Sequence, residues 1–98
     1  MFQQGRHNSA RLLAVRSLAN EQPLTRYAFA TPKRVGKAVM RNKIRRRLRE
    51  VLRVLPLTEG FDLVISVRPA AADATFQALR DELTMLLGRA RVLDIPSQ

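Results

Sequence analysis

The segment from Lys33 to Arg53 combines a charge pattern and an apolar pattern that few folds satisfy together. It holds ten of the chain's eighteen Lys and Arg residues and only one acid, Glu50. Like charges at this density repel each other, and a nucleic acid can supply the missing counter-charge. The alternative is a solvated charged face, but such faces usually carry acids interleaved at helical spacing. The segment therefore predicts a nucleic-acid-binding surface.

The apolar residues of this segment recur at the spacing of one helical stripe, and Pro56 ends the series. The stripe consists of Met40, Ile44, Leu48, Val51, Leu52 and Leu55. This spacing predicts a helix that buries one side in a core and turns the other side to solvent. Arginine suits phosphate because its planar guanidinium donates two parallel hydrogen bonds. The side chains expected on the solvent arc are Asn42, Arg45, Arg46, Arg49 and Arg53.

The rest of the chain predicts an α+β fold, with helices packed on a small sheet, in one domain of 98 residues. Residues 11–18 and 26–31 have strand-like patterns and are joined by a short polar turn, so we expect them to form an antiparallel pair. Residues 61–68 give the clearest strand, because Phe61, Leu63, Ile65 and Val67 alternate with mostly polar residues.

A second helix is expected between Asp73, which is suited to be its N-cap, and Ala90. Residues 1–10 are polar and are expected to form an arm or the end of a partial helix. Residues 93–98 are expected to form a flexible tail. No repeat or interdomain linker interrupts the sequence, so residues 1–98 are expected to be a single domain.

The sequence lacks the residues that are characteristic of several classes of enzyme and metal-binding protein. There is no cysteine, His7 is the only histidine, the eight acids are scattered, and no glycine-rich phosphate loop is present. We therefore expect no catalytic residue and no metal site in the chain, so another component would supply any chemistry. No signal peptide and no apolar run long enough to cross a bilayer is present, so we expect a soluble, cytoplasmic protein.

Two aromatic residues bear on the choice between RNA and DNA. A basic helix can lie in the major groove of DNA, but no short helix precedes this one at helix-turn-helix spacing. Tyr27 and Phe29, on a neighbouring expected strand, could stack unpaired bases as in sheet-based RNA readers. The alternative is that both rings pack in the core. The pattern favours RNA.

The stretch from Lys33 to Glu50 closely resembles the signature of the bacterial ribonuclease P protein component. That signature has a basic pair, Val/Ile-Gly, Ala-Val and then Arg-Asn-Arg before a basic run, and here the third residue of the last triplet is Lys43. Residues 2–5 are similar to the Phe-x-x-Gly that ends the family's first helix, and residues 61–69 to its strand ending in Arg/Lys-Pro. The resemblance implies a small mixed sheet with a left-handed β-α-β crossover, an exception to the right-handed rule. It covers about residues 2–92.

The resemblance also implies a function. The family's protein is the accessory subunit of ribonuclease P, which removes the 5′ leader of precursor tRNA. The RNA subunit is the catalyst and requires Mg²⁺, and no obligate protein partner is expected. RNA-binding residues would be Lys33, Arg34, Lys37, Arg41, Asn42, Lys43, Arg45, Arg46, Arg49 and Arg53. Candidates for a leader cleft between helix and sheet are Phe2, Arg16, Tyr27 and Phe29.

Two other functions remain open at this point. A structural RNA-binding protein, such as a ribosomal protein, would need the same charge and fold. A cationic amphipathic helix could also lie on an anionic membrane, but the apolar stripe is needed for the core.

Arg16 stands where the family frequently has a strand aromatic, so a cationic contact would replace base stacking there.

Overall fold

The computed structural model describes residues 5–93. Within these residues, four strands form one sheet and two helices pack on it. Two short 3₁₀ turns, Lys33–Val35 and Pro69–Asp73, precede the helices. In chain order the strands and helices are β1 Arg6–Ser9, β2 Leu13–Ala19, β3 Arg26–Ala30, α1 Ala38–Val54, β4 Phe61–Val67 and α2 Phe76–Arg89.

The strand order in the sheet is β1-β2-β4-β3. β2 pairs antiparallel with β1 and β4, whereas β3 pairs parallel with β4. The antiparallel pairing expected between residues 11–18 and 26–31 is therefore wrong, because β4 lies between those two strands. β2 and β4 are the two inner strands, and both bury apolar residues on the core face, among them Leu13 and Val15 of β2 and Leu63, Ile65 and Val67 of β4. β3, α1 and β4 form the β-α-β crossover that the resemblance implies.

The core lies between one face of the sheet and the two helices. On α1, the buried residues Ile44, Leu48, Val51 and Leu52 confirm the predicted stripe, and Met40 and Leu55 at its ends are half-buried. Gly36 precedes α1 with a φ of 153°, and a Cβ there would lie 3.3 Å from the Met40 side chain. Only glycine adopts that conformation without strain, so Gly36 sets where the chain turns into α1.

Helix α2 begins later than the sequence predicted. Its N-cap is Thr75, whose Oγ1 accepts a hydrogen bond from the Ala78 backbone N–H at 3.0 Å. Asp73, the predicted cap, is instead the last residue of the 3₁₀ turn that begins at Pro69, directly after β4. The predicted helix is confirmed from Phe76 onward. Its buried residues are Leu79, Leu83, Leu86 and Leu87.

The N-terminal segment differs from the expected arm or helix end. Arg6–Ser9 forms β1 and pairs with β2, with Arg6 opposite Ser17. Gly5 permits this close approach, since a Cβ there would lie 2.7 Å from the Ser17 carbonyl oxygen. The Glu82 carboxylate on α2 secures the hairpin by accepting the backbone N–H groups of Leu12 and Leu13 at 2.7 Å each.

The C-terminal tail starts later than expected. Val92 is fully buried, its carbonyl accepts the Thr58 N–H, and Leu93 forms a β-bridge with Leu57. The predicted tail therefore starts no earlier than residue 94. The remainder of that tail, and the predicted partial helix of residues 1–4 with the cleft candidate Phe2, lie outside the described residues.

Candidate RNA interface

The ten residues predicted to bind RNA lie on one stretch of structure, which we call the basic helix surface. It comprises the turn Lys33–Val35, the link to α1 and the side of α1 opposite the core. Eight of the ten residues are exposed, and Arg41 and Arg45 are half-buried. The buried stripe fixes the helix on the sheet, so the cationic side chains project from a rigid support. The ten residues are the nine cations Lys33, Arg34, Lys37, Arg41, Lys43, Arg45, Arg46, Arg49 and Arg53 and the neutral amide Asn42.

Local contacts orient part of this surface. The Asn42 side-chain oxygen accepts a hydrogen bond from the Arg45 guanidinium, one helical turn away. The Arg49 guanidinium lies 6.0 Å from the centroid of the Phe29 ring, in cation–π range. Phe29 in turn packs against Tyr27 with ring centroids 5.6 Å apart. These contacts restrain Arg45 and Arg49 without neutralising either charge.

The charges of the basic helix surface are unbalanced. Within residues 5–93 the ion pairs are Arg26 with Asp62 and Arg80 with Asp81, and neither involves α1. The first turn of α1 has no acid, and its N-cap residue Lys37 makes no side-chain capping bond. The positive end of the helix dipole therefore lies among cations, where a phosphate would be stabilised.

The second exposed surface is the face of the sheet away from both helices, which we call the open face. It includes His7, Arg16, Leu18, Arg26, Asp62, Val64 and Ser66. A hollow of about 600 Å³ lies at one end, with Arg34, Arg68 and His7 on its walls. A smaller hollow of about 250 Å³ adjoins it through His7 and contains Arg16. The floor of the larger hollow is accessible because the strand residues that line it are small, namely Ala14, Ala30 and Ser66.

The opposite end of the open face carries an acid. The Asp62 carboxylate accepts hydrogen bonds from the Arg26 guanidinium at 3.0 and 2.9 Å and from the Asn20 amide at 2.8 Å. The hydrogen bond from Arg26, then that from Asn20, holds the pKa of Asp62 below its ordinary value. Arg26 is paired with Asp62, so among residues 5–93 the unpaired arginines of the open face are Arg16 near its middle and Arg34 and Arg68 at the other end.

The three predicted leader-cleft residues that the structure describes, Arg16, Tyr27 and Phe29, do not lie on the same face of the sheet. Arg16 lies on the open face, opposite Val64 of β4. Tyr27 and Phe29 lie on the other face, where they are half-buried and pack against the core. Sequence analysis left base stacking and core packing open for these rings, and much of the surface of both rings is covered by packing against the core. Period-2 alternation places successive residues of a strand on opposite faces, which explains the separation.

Comparisons with known proteins identify the family and agree with this fold. The family model for ribonuclease P matches residues 1–91. The chain belongs to the ribonuclease P protein family. The ribonuclease P protein component of Roseiflexus sp. strain RS-1 is 42% identical over 91% of this chain and 75% of its own length. That of Symbiobacterium thermophilum is 38% identical over 95% of this chain and 84% of its own length.

Solved structures support the same assignment. The RNase P protein of Staphylococcus aureus superposes with a TM-score of 0.82 at 29% identity, covering 92% of this chain and 84% of the other. The RNase P protein of Thermotoga maritima gives a TM-score of 0.81 at 27% identity, covering 88% of this chain and 84% of the other. The α+β fold implied by the sequence resemblance is thereby confirmed.

Sequence reasoning missed part of the surface of this ribonuclease P family member. Arg68 and His7 line the open face but were not among the predicted site residues. Strand alternation placed Arg68 on the solvent side of β4, which was a usable signal. His7 gave none, because its position opposite Arg16 depends on the unpredicted strand β1. Residues 5–93 contain no group of three His, Cys, Asp or Glu side chains able to hold a metal, and none of their helices is long and apolar enough to cross a membrane.

Proposed function

We propose that this protein is the accessory subunit of ribonuclease P and assists removal of the 5′ leader from precursor tRNA. It binds the catalytic RNA through the basic helix surface and the leader strand across the open face. The RNA subunit, with its Mg²⁺, performs the cleavage. The observation that carries the proposal is the set of cations on α1, none of which forms an ion pair among residues 5–93, in a chain of the ribonuclease P family.

The basic helix surface suits a folded RNA. Its arginines stand on a helix whose opposite side is fully packed, so little conformational freedom of the backbone is lost on binding. Guanidinium groups can engage phosphates in pairs, and Asn42 can donate to or accept from a base edge or a 2′-hydroxyl. Bound phosphates would also supply the anion that the uncapped N-terminus of α1 lacks.

The open face suits a single strand. The two hollows form a shallow path, and Arg16, Arg34 and Arg68 stand along it without an acidic partner among residues 5–93. The path is too open to enclose a small ligand, and it offers mostly small side chains and cations. Such a surface tracks a phosphate backbone with little preference for sequence. This proposal keeps Arg16 as a leader contact and adds Arg68 and His7.

Reconstitution tests the proposal. Cleavage of a precursor tRNA by a bacterial ribonuclease P RNA would be followed at low Mg²⁺ with this protein, with no protein, and with a basic protein of matched net charge. We expect this protein alone to stimulate cleavage. Equal stimulation by the matched protein would favour a general RNA-binding protein, and no stimulation by this protein would contradict the accessory role.

The same assay separates the two surfaces. A substrate with a leader of several nucleotides and one without a leader should both depend on the basic helix surface. Only the first should depend on the open face. If substitutions on the open face affect both substrates equally, the leader is not bound there.

A further inference from the structure

A third feature lies beside the basic helix surface, where α1 begins. It is an apolar hollow of about 410 Å³ between the start of α1 and the 3₁₀ turn Pro69–Asp73. Its apolar lining consists of Val35, Gly36, Val39, Met40 and Ala72, and the exposed residues Lys37 and Lys43 complete the lining.

Val39 is the residue that makes the hollow unusual. It is 80% exposed, whereas Ile44, Leu48, Val51 and Leu52 on the same helix are at most 3% exposed. A single exposed valine on a surface is ordinary. Here the valine faces an apolar hollow with methionine, alanine and glycine around it, in the most cationic part of the chain. A surface built only to meet phosphate would have no use for it.

We propose that this hollow receives one unstacked nucleobase of the bound RNA, while the neighbouring phosphates contact Lys37 and Lys43. The inference rests on the proposed RNA-binding function and names a structural element that the RNA must contain. A hollow of this volume is in the range of small-ligand sites and is large enough for a purine. Recognition of RNA commonly uses bases that have left the stack and lie against side chains.

Charge favours a nucleobase over an apolar peptide or a lipid chain as the occupant. Entry of a purely apolar group would desolvate the two lysines without pairing them. A nucleotide brings a flat apolar face for Val39 and Met40 together with the phosphates that the two lysines require. The five apolar lining residues have no hydrogen-bonding side-chain groups, so the hollow should accept a base without distinguishing its identity strongly.

The chain offers a matched pair of variants on α1. Val54 is 77% exposed, at the other end of the helix, and does not line the hollow. Val39→Ser and Val54→Ser therefore remove the same side chain from equally exposed positions. A third variant, Ala72→Leu, fills the hollow from the opposite wall. All three should melt close to wild type, and circular dichroism would establish that they fold.

The experiment measures binding of the full-length protein to three RNA hairpins. One has a single bulged adenosine, one has an abasic residue at the bulge, and one is fully paired. Wild type should bind the adenosine bulge about fivefold to tenfold more tightly than the abasic bulge, the low range for a base contact. A uridine bulge should come within about threefold of adenosine, as expected where no hydrogen bonds read the base.

The variants decide whether the hollow is responsible. Val39→Ser and Ala72→Leu should each abolish the preference for a base, whereas Val54→Ser should keep it. Equal binding of the adenosine and abasic bulges by wild type would overturn the inference, as would equal losses for the two serine variants. In either case salt-dependent binding to all three hairpins would leave the proposed function intact. Binding to none of the three would overturn both.

Discussion

The basic helix surface and the open face of the sheet are both cationic, but they are built differently. On α1 the cations stand in the chain's densest charge run, with one acid, on a helix fixed by a fully buried stripe. On the open face a few arginines are separated by small residues, and Asp62 neutralises one end. We therefore expect charge density to determine RNA binding at the basic helix surface. At the open face we expect the shape of the two hollows to determine it. Apart from Arg34, which belongs to both surfaces, a mutation on one surface should therefore leave binding at the other unchanged.

The largest effect should come from the residue that supports both surfaces. Leu48 is fully buried at the centre of the core, so Leu48→Ala should lower the free energy of unfolding by about 2–5 kcal/mol through lost burial and a cavity. Denaturant unfolding measures this change. The matched variant Val54→Ala, at an exposed site on the same helix, should change stability by about 0.5 kcal/mol or less. Equal effects would mean that the buried side of α1 is misassigned.

Substitution of Glu82 should destabilise the β1–β2 hairpin of the open face more than it destabilises α1. The Glu82 carboxylate accepts two backbone N–H groups in the link between β1 and β2, so Glu82→Ala leaves both donors unpaired. We expect a loss of about 2–3 kcal/mol, since bonds to a charged group are the stronger kind. Hydrogen exchange should rise at Leu12 and Leu13 more than in α1. Uniform acceleration across the chain would show that the hairpin is not a separate unit.

Substitution of Arg68 should affect binding of the leader at the open face and leave binding of the catalytic RNA at the basic helix surface unchanged. Arg68→Ala should weaken binding of a leader-bearing precursor tRNA to the holoenzyme about tenfold, the effect of one charged hydrogen bond. Affinity for the catalytic RNA alone should not change. Arg80→Ala, on α2 and away from both surfaces, is the control. An equal loss for a substrate without a leader would place Arg68 outside the leader path.

Arg46 tests the charge-driven surface. If about six phosphates are neutralised, the logarithm of affinity for the catalytic RNA should fall against the logarithm of salt with a slope of about −4 to −5. Arg46→Ala should weaken binding by about 1 kcal/mol and flatten the slope by roughly one unit. Arg46→Glu should be worse, because it adds repulsion. An unchanged slope would remove Arg46 from the phosphate contacts.

Local patterns in the sequence predicted α1 well and the sheet poorly. The stripe from Met40 to Leu55 is a repeat within one helix, so periodicity alone located the buried side. The neighbours of β3 depend on a crossover that returns the chain by way of α1, and no local pattern contains that information. The resemblance supplied the crossover, whereas the polar turn between β2 and β3 misled the pairing.

The open face was the hardest part to predict because it is formed by residues distant in sequence. β1 is short and polar, and its place depends on the close approach allowed by Gly5 and on Glu82 of α2. Without β1, His7 looked like part of an arm. Arg68 was visible as a solvent-side residue of β4, but its proximity to Arg34 follows only from the folded chain.

The smallest effect concerns the acidic end of the open face. The pKa of Asp62 is lowered in the folded protein by the hydrogen bonds from Arg26 and Asn20, so ionised Asp62 favours folding. That contribution is present above the pKa of the carboxyl in the unfolded chain, and it is lost as pH falls through the lower folded value. The melting temperature of wild type should therefore exceed that of Asp62→Asn at neutral pH. The difference should shrink below about pH 4.

The same variant tests whether Asp62 limits the path of the leader. Asp62→Asn frees Arg26 and removes the negative charge, so the cationic part of the open face should extend across the whole sheet. Binding of a precursor tRNA with a long leader should then become slightly tighter and more sensitive to salt. A substrate with a leader too short to reach Asp62 should be unaffected. If neither substrate responds, the leader does not approach this end, and the contrast between the two surfaces is confined to the end near Arg34 and Arg68.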